Sequence, residues 1–223
     1  MTSKEDQPTY IKKTFFPHSL IVAMRKLQRE ITKENQVEIE SNSGKNILQV
    51  MVSQKMNGRE VEFVTKKYEK PQAFLNGNPI SVSFSHTPTD VCAAVSEEWV
   101  VGIDMESQER TVSSKLANRM RNHKELLKFY DEHPIIQIWT MKEAALKAIG
   151  TGLRKPMNSV QLSAESDYIF RAEFDNGTLA NICSFLQDKQ WISICYISSQ
   201  LSESLLPESY VPIHTGRDQR KAQ

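Results

Sequence analysis

Residues 139–153, WTMKEAALKAIGTGL, set Trp139, Glu143 and Lys147 at successive four-residue steps, so a helix here carries all three on one face. Upstream, residues 99–106, WVVGIDME, read as an apolar strand ending in two carboxylates, Asp104 and Glu106. Alternate strand residues share a face. A near-continuous apolar run calls for burial, and an ionised side chain emerging from it requires a partner or a metal. A fold that brings strand and helix together converges three carboxylates and a lysine. Such a cluster is a candidate metal site with a phosphate counter-charge beside it.

Each piece alone is ordinary. Carboxylates two apart recur at Glu38/Glu40 and Glu60/Glu62. A Glu four residues before a Lys is a common pair on an exposed helix, worth about 0.2–0.5 kcal/mol. Trp139 on this stripe also reads as core, and Lys142 as a solvated charge. His86, in SVSFSHTPTD, follows a strand and opens a turn, with no second histidine at metal-ligand spacing. Its neighbours Ser85, Thr87 and Thr89 suit a phosphate or a turn network equally. Neither GxSxG nor a Walker phosphate loop occurs.

The remaining pattern predicts an α+β fold. Residues 18–34 place Leu20, Ile21, Met24, Leu27 and Ile31 as on an amphipathic helix. A loop over 40–46 precedes strands at 46–53 and 60–65, with Asn57-Gly58 as the turn between them. Further strands are expected at 80–85, 91–96 and 99–105. A charged helical region over 113–130, broken near 121–122, leads to a helix that starts by Pro134 and stops at Gly150. Four strands follow, at 159–163, 168–174, 178–186 and 191–197, with Asn176-Gly177 as a hairpin turn. Strands in sequence joined by hairpins favour antiparallel sheets. The interruption at Glu97-Glu98 divides an N-terminal half, 1–98, from a C-terminal half, 99–200, leaving 201–223 as an extended or disordered tail.

Balanced charge, 28 basic against 27 acidic residues, makes no global case for a nucleic-acid or membrane partner. The polar N-terminus has no apolar signal stretch, and no run is long enough to span a bilayer. Cys92, Cys183 and Cys195 form no close pair and read as buried free thiols. A cytoplasmic setting is the expectation.

In order, SFSHT, GIDME and WTMKEAALKAIGTGL resemble the signature of the 4'-phosphopantetheinyl transferase superfamily. The matching residues are Ser85 and His86; Gly102, Ile103, Asp104 and Glu106; and Trp139, Lys142, Glu143, Lys147, Gly150, Gly152 and Leu153. Glu106 and the chain length favour the monomeric branch, that of the surfactin synthetase activator. Ser83 and Thr87 replace a frequent Asn and Ser of the first segment. The resemblance covers roughly residues 70–153. It implies two similar α/β halves with mainly antiparallel sheets, packed in pseudo-twofold fashion, and an active site in the cleft between them.

It further implies transfer of phosphopantetheine from coenzyme A to a serine of an apo acyl- or peptidyl-carrier protein, releasing adenosine 3',5'-bisphosphate. Asp104, Glu106 and Glu143 would hold Mg²⁺, a hard cation that prefers oxygen ligands. Lys147 would neutralise phosphate charge, and Lys70, Ser85 and His86 would contact the nucleotide side of coenzyme A. Glu143, or a metal-bound water beside it, is the expected base. Arg25, Lys26 and Arg29 are candidates for the 3'-phosphate by location, without a motif match. Residues 112–130, with Lys115, Arg119, Arg121, Lys124 and Lys128 around Leu116 and Met120, suit an acidic carrier and equally an amphipathic surface helix. Two other classes remain: a metal-dependent hydrolase of coenzyme A or a nucleotide, and a non-catalytic module that binds coenzyme A or a carrier.

Overall fold

The computed structural model describes residues 7–27, 36–56, 61–64 and 70–198. They form an α+β fold with two antiparallel sheets. The first half contributes β1 (Thr9–Ile11), β2 (Ile21–Lys26), α1 (Gln36–Lys55), β3 (Val61–Val64), β4 (Gln72–Leu75), β5 (Asn78–His86) and β6 (Asp90–Ser96). Its sheet runs β1-β2-β6-β5-β4-β3. After the turn at Glu97-Glu98 the chain enters the other sheet through β7 (Trp99–Ser107). Helices α2 (Ser114–Met120), α3 (Leu127–Glu132) and α4 (Ile135–Ala148) precede β8 (Val160–Ala164), β9 (Ile169–Phe174), β10 (Leu179–Gln187) and β11 (Gln190–Ser198). That sheet is ordered β7-β11-β10-β9-β8.

Three apolar clusters explain the layering. Helix α1 covers one face of the first sheet through Ile47, Leu48, Met51 and Val52. Helix α4 covers the second sheet through Ile138, Met141, Ala145 and Leu146. Between the sheets, Val22, Met24 and Ala94 meet Val101, Ile103, Met105 and Ile194. Cys92, Cys183 and Cys195 are buried free thiols within this scaffold.

The second half follows its sequence pattern closely, including the break between α2 and α3 and the Gly177 turn at φ +80°. The first half corrects it twice. Residues 21–26 are strand, not helix, because β2 is buried on both faces: Val22 and Met24 point to the inter-sheet core, Ala23 to α1. Burial on both faces turns the strand's alternation into a continuous apolar run that also fits a helix. Residues 36–55 are helix, where a loop and a strand were expected. The decisive stripe is 47, 48, 51, 52, which has helical spacing and faces the sheet. The first half therefore leads with strands rather than with a helix. The expected turn at Asn57-Gly58, the role of Arg29 and the tail over 201–223 lie outside the described residues.

Where β5 meets β7 the sheets are stitched by serines. β7 is the edge of its sheet, so alternate N–H groups need other partners. Ser81 Oγ accepts from Val101 N at 2.9 Å and Ser83 Oγ from Ile103 N at 3.0 Å. Ser85, next in the same alternation, reaches the Asp104 side chain.

Candidate functional site

Strand β7 turns Val101, Ile103 and Met105 toward the inter-sheet core. The alternate set, Val100, Gly102, Asp104 and Glu106, faces the α4 side. Approach to α4 is close because residue 102 has no side chain. A Cβ there would collide with the backbone of Ala144 and Ala148. That contact brings Asp104 beside Lys147.

Lys147 Nζ donates to Asp104 Oδ1 at 2.6 Å and to Ser85 Oγ at 3.0 Å. Ser85 Oγ donates to the same Asp104 oxygen at 2.8 Å. Burial alone would lower the Lys147 pKa, but Asp104 and then Glu143 raise it above the ordinary lysine value. Asp104 is buried, and its other oxygen, Oδ2, has no hydrogen-bond partner among the described residues. A buried orphan oxygen of this kind marks the place of a water or an ion.

Glu143, also buried, lies one turn before Lys147 on α4. Its pKa is raised to about 7, first by burial and next by repulsion from Asp104, with Lys147 and Arg110 opposing. Glu106 is ion-paired with Arg110, whose Cζ lies 4.9 Å from the Trp139 ring centroid. Each carboxylate of β7 thus already faces a cation. Among the described residues no three His, Cys, Asp or Glu side chains are drawn together as a metal cluster. The donors nevertheless fit a hard divalent cation: all are carboxylate oxygens, and Asp104 Oδ2 is uncommitted. Glu106 would have to release Arg110 to join them.

Lys147 also lines an open cleft of about 220 Å³ between β5 and the turn after α4, with Lys70, Pro71 and Phe84 on one side and Thr151 and Arg154 on the other. Lys70 Nζ donates to Val101 O at 2.6 Å and Ala148 O at 3.2 Å, and burial pulls its pKa down to about 7. His86 ends β5, one residue beyond Ser85, and does not line this cleft. The segment after it is a turn network: Asp90 N bonds Thr87 Oγ1 at 3.2 Å, and Thr89 Oγ1 bonds Asp90 Oδ2 at 2.6 Å.

Two readings change on contact with the structure. Lys142 is no solvated charge; it is fully buried, donating to Glu125 Oε1 and Val160 O, each at 2.6 Å. Glu125 also accepts from Leu162 N, Asn122 N and Tyr130 OH. Met120 is core rather than the apolar centre of a surface, because its side chain joins the α4 cluster. The exposed apolar residues nearby are Leu126, 74% exposed, and Leu127, 64% exposed.

Arg110, Glu125 and Arg154 were not anticipated. Arg110 against Trp139 and Glu125 against Lys142 meet across loops where no period links them, while the Arg110–Glu106 pair is local, four residues apart. Arg154 had one signal, its place immediately after GTGL.

Residues 100–196 match the family model of the 4'-phosphopantetheinyl transferase superfamily. The matched stretch runs from β7 to β11 and holds Asp104, Glu106, Glu143 and Lys147, while Lys70, Ser85 and His86 precede it. No curated protein matches the chain.

Proposed function

We propose that this protein transfers the 4'-phosphopantetheine group of coenzyme A to a serine of an apo acyl- or peptidyl-carrier protein, with Mg²⁺, releasing adenosine 3',5'-bisphosphate. The observation that carries this reading is the Lys147–Asp104–Ser85 triangle with its orphan Asp104 oxygen, next to buried Glu143 and joined to the cleft through Lys147. The superfamily match over residues 100–196 supports the same chemistry.

In this reaction the carrier serine oxygen attacks the phosphorus that bears the pantetheine arm. The phosphoanhydride bond breaks, and adenosine 3',5'-bisphosphate departs with the bond's electron pair. Asp104, Glu106 and Glu143 are the residues that would hold magnesium, which when bound neutralises pyrophosphate charge and polarises the phosphoryl oxygens. Lys147, oriented by Asp104 and Ser85, presents positive charge to the pyrophosphate without reorganising. Glu143, with a pKa near 7, is suited to take the serine proton directly or through a water. Lys70, Ser85 and His86 remain our assignment for the nucleotide side. The exposed Leu126-Leu127 pair, flanked by Lys124 and Lys128, is the surface we assign to an acidic carrier.

We read the chain as a cytoplasmic monomer of two halves, 1–98 and 99–200. Among the described residues no helix is long and apolar enough to cross a membrane. The reaction is tested by chromatography of coenzyme A, Mg²⁺ and protein with and without an apo carrier domain. Release of adenosine 3',5'-bisphosphate only when carrier is present supports transfer. Equal release without carrier would point to hydrolysis, and no release with several carriers would contradict both enzymatic readings.

A further inference from the structure

Three basic side chains face one cleft. Lys147 is matched by Asp104, but neither Lys70 nor Arg154 has a carboxylate partner among the described residues; both bond only backbone carbonyls. Arg154 Nε donates to Thr151 O at 3.1 Å and Nη2 to Gly150 O at 2.8 Å. Gly150 and Gly152 adopt positive φ, +73° and +50°, so the chain doubles back just past α4 and turns these carbonyls toward the guanidinium. The two bonds fix a side chain that would otherwise swing freely. A guanidinium has five N–H donors, so others remain for a ligand.

A basic residue beyond a helix often caps the last carbonyls. Capping accounts for the two bonds of Arg154 but not for its place in a wall shared with Lys70 and Lys147. Clustered cations with low-dielectric walls repel one another and focus potential on the space between them. An anion entering the cleft would balance that charge, and a forked guanidinium matches the oxygens of a phosphate.

We propose that Arg154 reads a phosphate of the coenzyme A nucleotide, held ready for it by the Gly150 and Thr151 carbonyls. This rests on the coenzyme A reading above. Coenzyme A offers two phosphate sources, the 3'-phosphate and the pyrophosphate, and the test separates them.

Calorimetric titration of the full chain with coenzyme A and with 3'-dephospho-coenzyme A compares wild type, Arg154→Gln and Arg154→Lys, with melting temperatures recorded for each. Loss of a charged hydrogen bond predicts about tenfold weaker coenzyme A binding or more in Arg154→Gln. Arg154→Lys should fall between, since lysine keeps the charge and loses the fork. It also keeps the test decidable if the glutamine variant is unstable. Weakening for coenzyme A alone assigns Arg154 to the 3'-phosphate, and equal weakening for both ligands assigns it to the pyrophosphate. Wild-type affinity for both ligands in folded variants overturns the proposal. A wild-type protein that binds neither ligand overturns the coenzyme A reading itself, whatever the variants do.

Discussion

Lys147 Nζ lies 2.6 Å from Asp104 Oδ1, tying the last turn of α4 to the end of β7. Asp104 is almost wholly buried and Lys147 is 29% exposed at the side chain, so Lys147 reaches the cleft while Asp104 lies behind it. Truncating Lys147 leaves a buried carboxylate without its cation. Lys147→Ala should therefore lose about 1–3 kcal/mol of stability, less than for a fully buried pair because water still reaches the lysine. Asp104→Asn/Lys147→Ala should recover part of that loss. Lys147→Ala and Asp104→Asn should each still fold, and each should abolish or greatly reduce transfer. Urea unfolding and a transfer assay together read the two effects; near-normal transfer by both variants would remove these residues from the site.

Lys142 and Glu125 form a second pair with a different task. Both side chains are fully buried, and Glu125 gathers backbone and side-chain donors from 122, 130 and 162. Glu125→Gln removes the charge that Lys142 faces, and should cost about 3–5 kcal/mol. Replacing both by apolar residues of similar volume should cost much less. The check is the melting temperature of Glu125→Gln, Lys142→Met and the double variant. A loss in the double variant equal to the sum of the two single losses would mean that the pair is not coupled.

Lys70 makes stability depend on pH. Burial holds its folded-state pKa at about 7, against an ordinary lysine value of 10.5 in the unfolded chain. Between these values the unfolded state binds more protons, so stability rises with pH. The gain is complete above 10.5 and is lost as pH falls to 7. Lys70→Met should flatten this rise, which urea titrations from pH 7 to 10 would measure. An unchanged slope would show that Lys70 titrates like an exposed lysine.

The Leu126-Leu127 pair tests the carrier surface. Leu127→Glu places an acidic group where an acidic partner would dock, between Lys124 and Lys128. At 64% exposure the change should hardly affect folding. The Michaelis constant for the carrier should rise about tenfold or more while that for coenzyme A stays constant. A parallel rise in both constants would argue against a docking role.

Most of the second half was legible in the sequence because its elements are bounded by clear signals, Pro134 and Gly150 around α4 and the Gly177 turn between β9 and β10. Gly102 marks where β7 and α4 touch. The first half was less legible. β2 is apolar on both faces, and α1 shows its stripe only over Ile47, Leu48, Met51 and Val52. Candidate-site residues within β7 and α4 could be read by spacing. Partners joined only by tertiary structure could not: Arg110 against Trp139, Glu125 under Lys142, and the Ser81 and Ser83 hydroxyls on the β7 edge.

The proposed activity is tested most directly by the intact mass of an apo carrier domain after incubation with the protein, coenzyme A and Mg²⁺. The predicted result is a gain of one phosphopantetheine group on the carrier serine, absent with Asp104→Asn. A carrier mass that stays unchanged across acyl- and peptidyl-carrier domains, with coenzyme A and Mg²⁺ both in excess, would contradict it.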